Sequence, residues 1–81
     1  MDLVKADVKM STGDNQGAID ILKAHLEKEP DSVWARTQLG KAYLNIEKLD
    51  LAIDSLLKAQ QIQPNEPRST LYLGLAYIGK E

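Results

Sequence analysis

The sequence predicts an all-α fold built from a repeated helix-turn-helix unit, and three observations lead there. Sliding the 81 residues against themselves by 34 positions leaves 47 pairs, of which ten are identical: Ala18/Ala52, Ile19/Ile53, Asp20/Asp54, Leu22/Leu56, Pro30/Pro64, Leu39/Leu73, Gly40/Gly74, Ala42/Ala76, Tyr43/Tyr77 and Glu47/Glu81. Chance would give about three at ordinary composition, and a fixed period of this size marks a repeat architecture. Apolar residues recur at helical spacing: Leu39, Ala42, Tyr43 and Ile46 fall at i, i+3, i+4 and i+7, and Leu49, Ala52, Ile53, Leu56 and Leu57 resume the spacing after a break. No segment alternates with period two, so no strand is expected.

Five helices follow in order. The first spans about residues 2–11 and ends at the Gly13-Asp14 turn, and the second runs over about 16–28. Pro30-Asp31-Ser32 closes it and opens a third helix over about 32–45, with Asp31 or Ser32 as N-cap. Glu47-Lys48 interrupts the pattern before a fourth helix over about 49–62. Pro64-Asn65-Glu66-Pro67 ends that helix, and Pro67 suits the first position of a fifth over about 67–79.

The period, with Leu39-Gly40 followed three residues on by Tyr43, Ala52 opening the second helix, Leu56 and Ala59 along it and Pro64 at its end, resembles the tetratricopeptide repeat family. Leu73-Gly74 and Tyr77 begin the pattern again. The resemblance implies a right-handed solenoid of about two and a half repeats. Its units are residues 1–32 with a degenerate first helix, 33–66, and 67–81 as the first helix of a third, and it implies a segment of a larger protein. Gly40 and Gly74 are expected to let the paired helix approach closely, which offsets the cost of about 1 kcal/mol that glycine carries in a helix. Three departures stand out. Leu22 and Leu56 occupy a position where the family often has an aromatic, His25 replaces the small residue found at Ala59, which predicts looser packing in the first unit, and Lys5 and Lys9 fall where Leu39 and Tyr43 sit.

Chemical inventory narrows the function. With no cysteine, thiolate metal clusters, disulfides and cysteine nucleophiles are out, and the single histidine, His25, has no second imidazole for a metal site or triad. His25, among Leu22, Leu26 and Glu29, is read as a partly buried packing residue. Asp14-Asn15-Gln16-Gly17 lacks the alternating acids and distal Glu of a calcium loop, and is read as a helix-helix turn. No nucleophile, base and orienting group can be assembled, so the chain is expected to be no enzyme and to take no cofactor. Ten basic against twelve acidic residues, net -2, with lysines scattered among acids, disfavour nucleic acid. No run reaches the roughly 18 to 20 apolar residues of a bilayer span, and charges interrupt the first ten residues before a signal-peptide core can form, so no membrane insertion is expected.

Binding of a protein or peptide partner is the expected role, because stacked helix pairs create a groove lined by the first helix of each unit. At about 100° per residue from Thr37, the core residues Leu39, Gly40 and Tyr43 point near 200 to 300°, whereas Trp34, Thr37, Gln38, Lys41, Leu44 and Asn45 cluster within about 0 to 100° or just below zero. The same directions in the third unit carry Arg68, Leu71, Tyr72, Leu75, Ile78 and Gly79. The expected groove is therefore Trp34, Thr37, Gln38, Lys41, Asn45, Arg68, Tyr72 and Leu75. Family members that clamp a chaperone's terminal carboxylate place a Lys and an Asn on the first helix, an Asn on the next and basic residues on the third. Here those positions hold Leu3, Asp7, Gln38, Arg68 and Tyr72, of which only Arg68 fits, so that specialisation is disfavoured. In the last helix, Leu73 and Tyr77 are expected to pack back on the second unit. Leu71, Tyr72, Leu75 and Ile78 are expected to meet a second copy in a homodimer, or further repeats. The alternative function is then a structural or oligomerisation segment of a longer solenoid.

Overall fold

The computed structural model describes the backbone of residues 2–81 and the side chains of residues 5, 6 and 8–81. Five helices follow one another: α1 (Asp2–Ser11), α2 (Asn15–Lys28), α3 (Val33–Asn45), α4 (Leu49–Ile62) and α5 (Pro67–Lys80). Each packs on its neighbour in sequence, and α3 also meets α5. The fold is an all-α helical repeat of about two and a half units, with no strand among the described residues.

The two turns inside the helix pairs match at a spacing of 34. Gly13 (φ 88°) and Glu47 (φ 61°) both take the left-handed backbone that reverses the chain. The Gly13 and Asp14 amides donate to the Met10 and Lys9 carbonyls, as those of Glu47 and Lys48 do to Leu44 and Tyr43. Glycine adopts this conformation freely, whereas a side chain there costs about 1 kcal/mol or more.

Capping fixes the helix starts. Ser32, not Asp31, caps α3, its hydroxyl accepting from the Ala35 amide at 3.2 Å. Thirty-four residues on, the Glu66 carboxylate accepts from the Ser69 amide at 2.7 Å, ahead of Pro67 at the helix start. Asp14 does the same for α2, accepting from the Gly17 amide at 3.0 Å while Lys9 lies 3.3 Å from its other oxygen. That accounts for the Asp14-Asn15-Gln16-Gly17 segment as a helix-helix turn.

The Gly17 amide first, and then Lys9, hold the Asp14 carboxyl below its ordinary range. A carboxylate whose folded pKa is depressed contributes stability that is fully present above its unfolded value of about 3.9 and is lost as pH falls through the folded value. Wild type is therefore expected to lose stability on acidification below about pH 5 more steeply than Asp14→Asn, which keeps a capping oxygen without the charge. Urea midpoints recorded from neutral to acid pH check this, and parallel curves would show that the Asp14 charge contributes nothing.

The core is built on small residues. Ala6, Ala18, Ala35, Ala42, Ala52, Ala59 and Ala76 are all fully buried, so helix backbones approach closely. Ile19, Leu22, Leu39, Tyr43 and Leu56 fill the spaces between. A Cβ at Gly40 would lie 2.5 Å from Cγ of Leu56, so the close approach expected there is real. Its repeat equivalent behaves differently: a Cβ at Gly74 would meet nothing within 4 Å. Tyr77 likewise does not pack back on the second unit as expected. It is 49% exposed, against 6% for Tyr43, because no helix covers α5 as α4 covers α3. Nor does the first unit loosen, since Ala6, Ala18, Ile19 and Leu22 are at most 1% exposed. His25 avoids crowding by turning its Nε2 to within 3.0 Å of the Glu29 carboxylate, one helical turn on.

Candidate partner-binding groove

Between the N-terminal halves of α3 and α5 lies a cleft of about 210 Å³, lined by Val33, Trp34, Thr37, Gln38, Gln63, Glu66 and Arg68. Four of the eight residues expected to line a groove therefore meet here: Trp34, Thr37, Gln38 and Arg68. Their meeting follows from the stacking of α5 on α3, which sets Arg68, in the first turn of α5, beside the residue 34 positions earlier.

Trp34 is half-buried, its ring packed against the core on one side and forming a cleft wall on the other. Thr37 and Gln38 lie deeper than the helical-wheel reading places them, at 3% and 7% exposure. Helices α2, α4 and α5 all pack on α3 and leave only a narrow strip of it open. The Thr37 hydroxyl is buried with no hydrogen-bond partner among the described residues. Arg68 is exposed and has no carboxylate within 4.0 Å among the described residues.

The remaining four residues lie outside the cleft. The Lys41 ammonium sits 5.9 Å from the centre of the Tyr72 ring, a cation-π distance that ties α3 to α5. Leu75 is 49% exposed on the outer side of α5. Asn45 is at the far end of α3, where its amide donates to Asn15 Oδ1 at 2.9 Å and joins α3 to the start of α2. The side chains of Leu3 and Asp7, the first-helix positions compared with the carboxylate clamp, fall outside the described residues.

Sequence reasoning missed Val33, Gln63 and Glu66 in the cleft. Glu66 had a findable signal: it stands 34 residues after the cap Ser32, and α5 must begin beside it. Gln63 had none, because its place depends on how α4 ends against α5.

Chemically the cleft offers an aromatic wall, a buried hydroxyl, amides and one charge of each sign. Among the described residues no three of His, Asp and Glu converge to hold a metal ion, and no helix is long and apolar enough to cross a membrane. Fold and cleft together define a helical repeat scaffold. A model of the family described as "Tetratricopeptide repeat" matches residues 9–76, most of the chain. The chain belongs to the tetratricopeptide repeat family, whose members are non-catalytic scaffolds that generally mediate protein-protein interaction.

Proposed function

We propose that this chain is a non-enzymatic interaction module that holds an extended or helical segment of a partner protein along α3 and α5. In this reading Trp34, Thr37, Gln38, Lys41, Asn45, Arg68, Tyr72 and Leu75 contact the segment, and the cleft takes one of its side chains. One observation carries it: the cleft gathers an aromatic side chain with a guanidinium and a buried hydroxyl that have no partner among the described residues. Aromatic and Arg side chains around a desolvated pocket are the residue types that dominate binding energy at interfaces. An occupant that bonds the Thr37 hydroxyl would remove a cost the free protein bears.

Trp34 is the only tryptophan and forms a wall of the cleft, so its fluorescence is a single-site probe there. Peptides selected from a displayed random library should shift that emission on titration. Amide chemical shifts should move at Gln38, Lys41, Tyr72 and Leu75, and Trp34→Ala should weaken binding by about tenfold or more. Thr37→Val should weaken binding while raising the stability of the free protein by about 1 kcal/mol. Shift changes confined to Ile19, Ile53 and other second-helix positions would overturn the proposal.

A second reading, a structural or oligomerisation segment of a longer solenoid, is favoured by the exposed Leu71, Leu75 and Ile78 of α5.

A further inference from the structure

The two helices that form the cleft differ from the rest of the chain in charge. None of the twelve acidic residues falls in α3 or α5, which together carry Arg36, Lys41, Arg68 and Lys80, although the chain as a whole has a net charge of -2. Three of these cations are engaged within the protein. Arg36 Nε donates to the Pro30 carbonyl at 2.9 Å, Lys80 pairs with Asp50 of α4, and the Lys41 ammonium rests over the Tyr72 ring. Arg68 lines the cleft with no carboxylate within 4.0 Å among the described residues. The acid that shares the cleft, Glu66, is held by α5 itself, since its carboxylate accepts from the Ser69 amide at 2.7 Å. Both helices begin at the cleft, so the positive ends of their dipoles favour a negative charge there.

We infer that the segment held along α3 and α5 is an acidic one in extended conformation, and that the side chain the cleft takes is a carboxylate paired with Arg68. A guanidinium grips a carboxylate through two parallel hydrogen bonds, each about twice as strong as a bond between neutral groups. The Gln38 and Gln63 amides of the same cleft are further donors. A basic side chain would instead meet Arg68, and it could reach Glu66 only by sharing that carboxylate with the Ser69 amide. Spacing places a second acid. Tyr72, with Lys41 over its ring, stands one turn beyond Arg68, about 6 Å along α5 at 1.5 Å per residue. An extended chain advances about 6.6 Å in two residues and turns alternate side chains to one face. Two acids with one residue between them therefore meet Arg68 and Lys41 in turn. The acidic stretch is confined to α3 and α5, because α1 carries Asp2 and Asp7.

This inference rests on the first reading above and names the chemistry of its ligand. The displayed random library should be fused at its C-terminal end, so that any acid it selects is a side chain and not a chain terminus. Selected peptides that shift Trp34 emission should carry Asp or Glu at two positions with one residue between them. For such a peptide, synthesised with an amidated C-terminus, changing the first acid to its amide should weaken binding by about tenfold or more, and so should Arg68→Gln. The two changes together should cost no more than either alone, because each removes the same pair. Lys41→Gln and the amide of the second acid should be coupled in the same way with a loss of about threefold. Lys23→Gln, which removes an exposed positive charge on α2, should leave affinity within about twofold of wild type, since a charge more than a Debye length away is screened. Arg68 is exposed in the first turn of α5, so its variant should keep the helical circular-dichroism spectrum. Peptides that engage Trp34 without an enriched acid, or losses at the acid and at Arg68 that simply add, would overturn this inference and leave the groove standing. A library in which no peptide shifts Trp34 emission would overturn both.

Discussion

Gly40→Leu is expected to leave the chain unfolded at ambient temperature, while Lys41→Leu, one residue on, melts within a few degrees of wild type. The Cβ of a side chain at residue 40 would already lie 2.5 Å from Leu56 Cγ and 2.6 Å from its Cδ2. Leu56 is fully buried. A leucine adds three more carbons, so α3 and α4 must separate, and α4 and α3 are also the platform on which α5 packs. Overpacking of a well-filled core costs about 1 to 3 kcal/mol, and more where backbones have to part. A chain of this length has about 4 to 12 kcal/mol of stability in total. Lys41 is half-buried beside Tyr72, and leucine there gives up only a cation-π contact worth about 0.5 to 1 kcal/mol.

The repeat supplies its own control for this substitution. Gly74→Leu occupies the equivalent position, but there a side chain meets open space. It should cost nothing and gain up to about 1 kcal/mol from helix propensity. Thermal melts of the three variants at low micromolar concentration decide the matter. Equal midpoints for Gly40→Leu and Gly74→Leu would mean that α4 does not press on α3 as described.

This contrast also shows what was legible in the sequence. Helix limits were written in local signals, Pro64 and Pro67 at the α4–α5 junction and Ser32 ahead of α3, and local signals do not depend on what packs nearby. The period of 34 told which residues share a role, hence the burial common to Leu39 and Leu73 or to Ala42 and Ala76. It could not tell whether two residues in the same role have the same neighbours. Gly40 and Tyr43 are enclosed by α4, whereas Gly74 and Tyr77 face outward. Nothing inside the sequence of α5 encodes that difference.

The candidate site was half legible for a similar reason. A helical wheel fixes direction, so it put Trp34, Thr37 and Gln38, which line one cleft, on one side of α3. Depth depends on three packing helices, and for that reason Thr37 and Gln38 proved buried. The Lys41–Tyr72 contact joins residues 31 apart across two helices, and the orphaned Thr37 hydroxyl is defined by an absence of partners. Neither leaves a mark in residue spacing.

Leu56→Ala is expected to remove about 2 to 5 kcal/mol, the second-largest effect in the chain, whereas Leu57→Ala next to it should cost well under 1 kcal/mol. Leu56 is fully buried over Gly40, while Leu57 is 41% exposed. Truncating Leu56 removes the carbons that press on Gly40 and leaves a void, because a close-packed core relaxes only partly around a deleted side chain. The void lies where a methyl group at residue 40 would point, so the two residues should be strongly coupled. Gly40→Ala alone places its Cβ against the leucine and is destabilising despite the better helix propensity of alanine. In the double variant Gly40→Ala/Leu56→Ala, that methyl enters the vacated space and the propensity gain of about 1 kcal/mol is realised. Chemical denaturation of all four proteins should give a double variant more stable than the sum of the single losses predicts, by about 1 to 3 kcal/mol. Additive losses would show that the Gly40–Leu56 contact is not what holds α3 against α4. The pairing would then have to rest on the alanines alone, and Ala42→Val or Ala52→Val would become the more damaging substitutions.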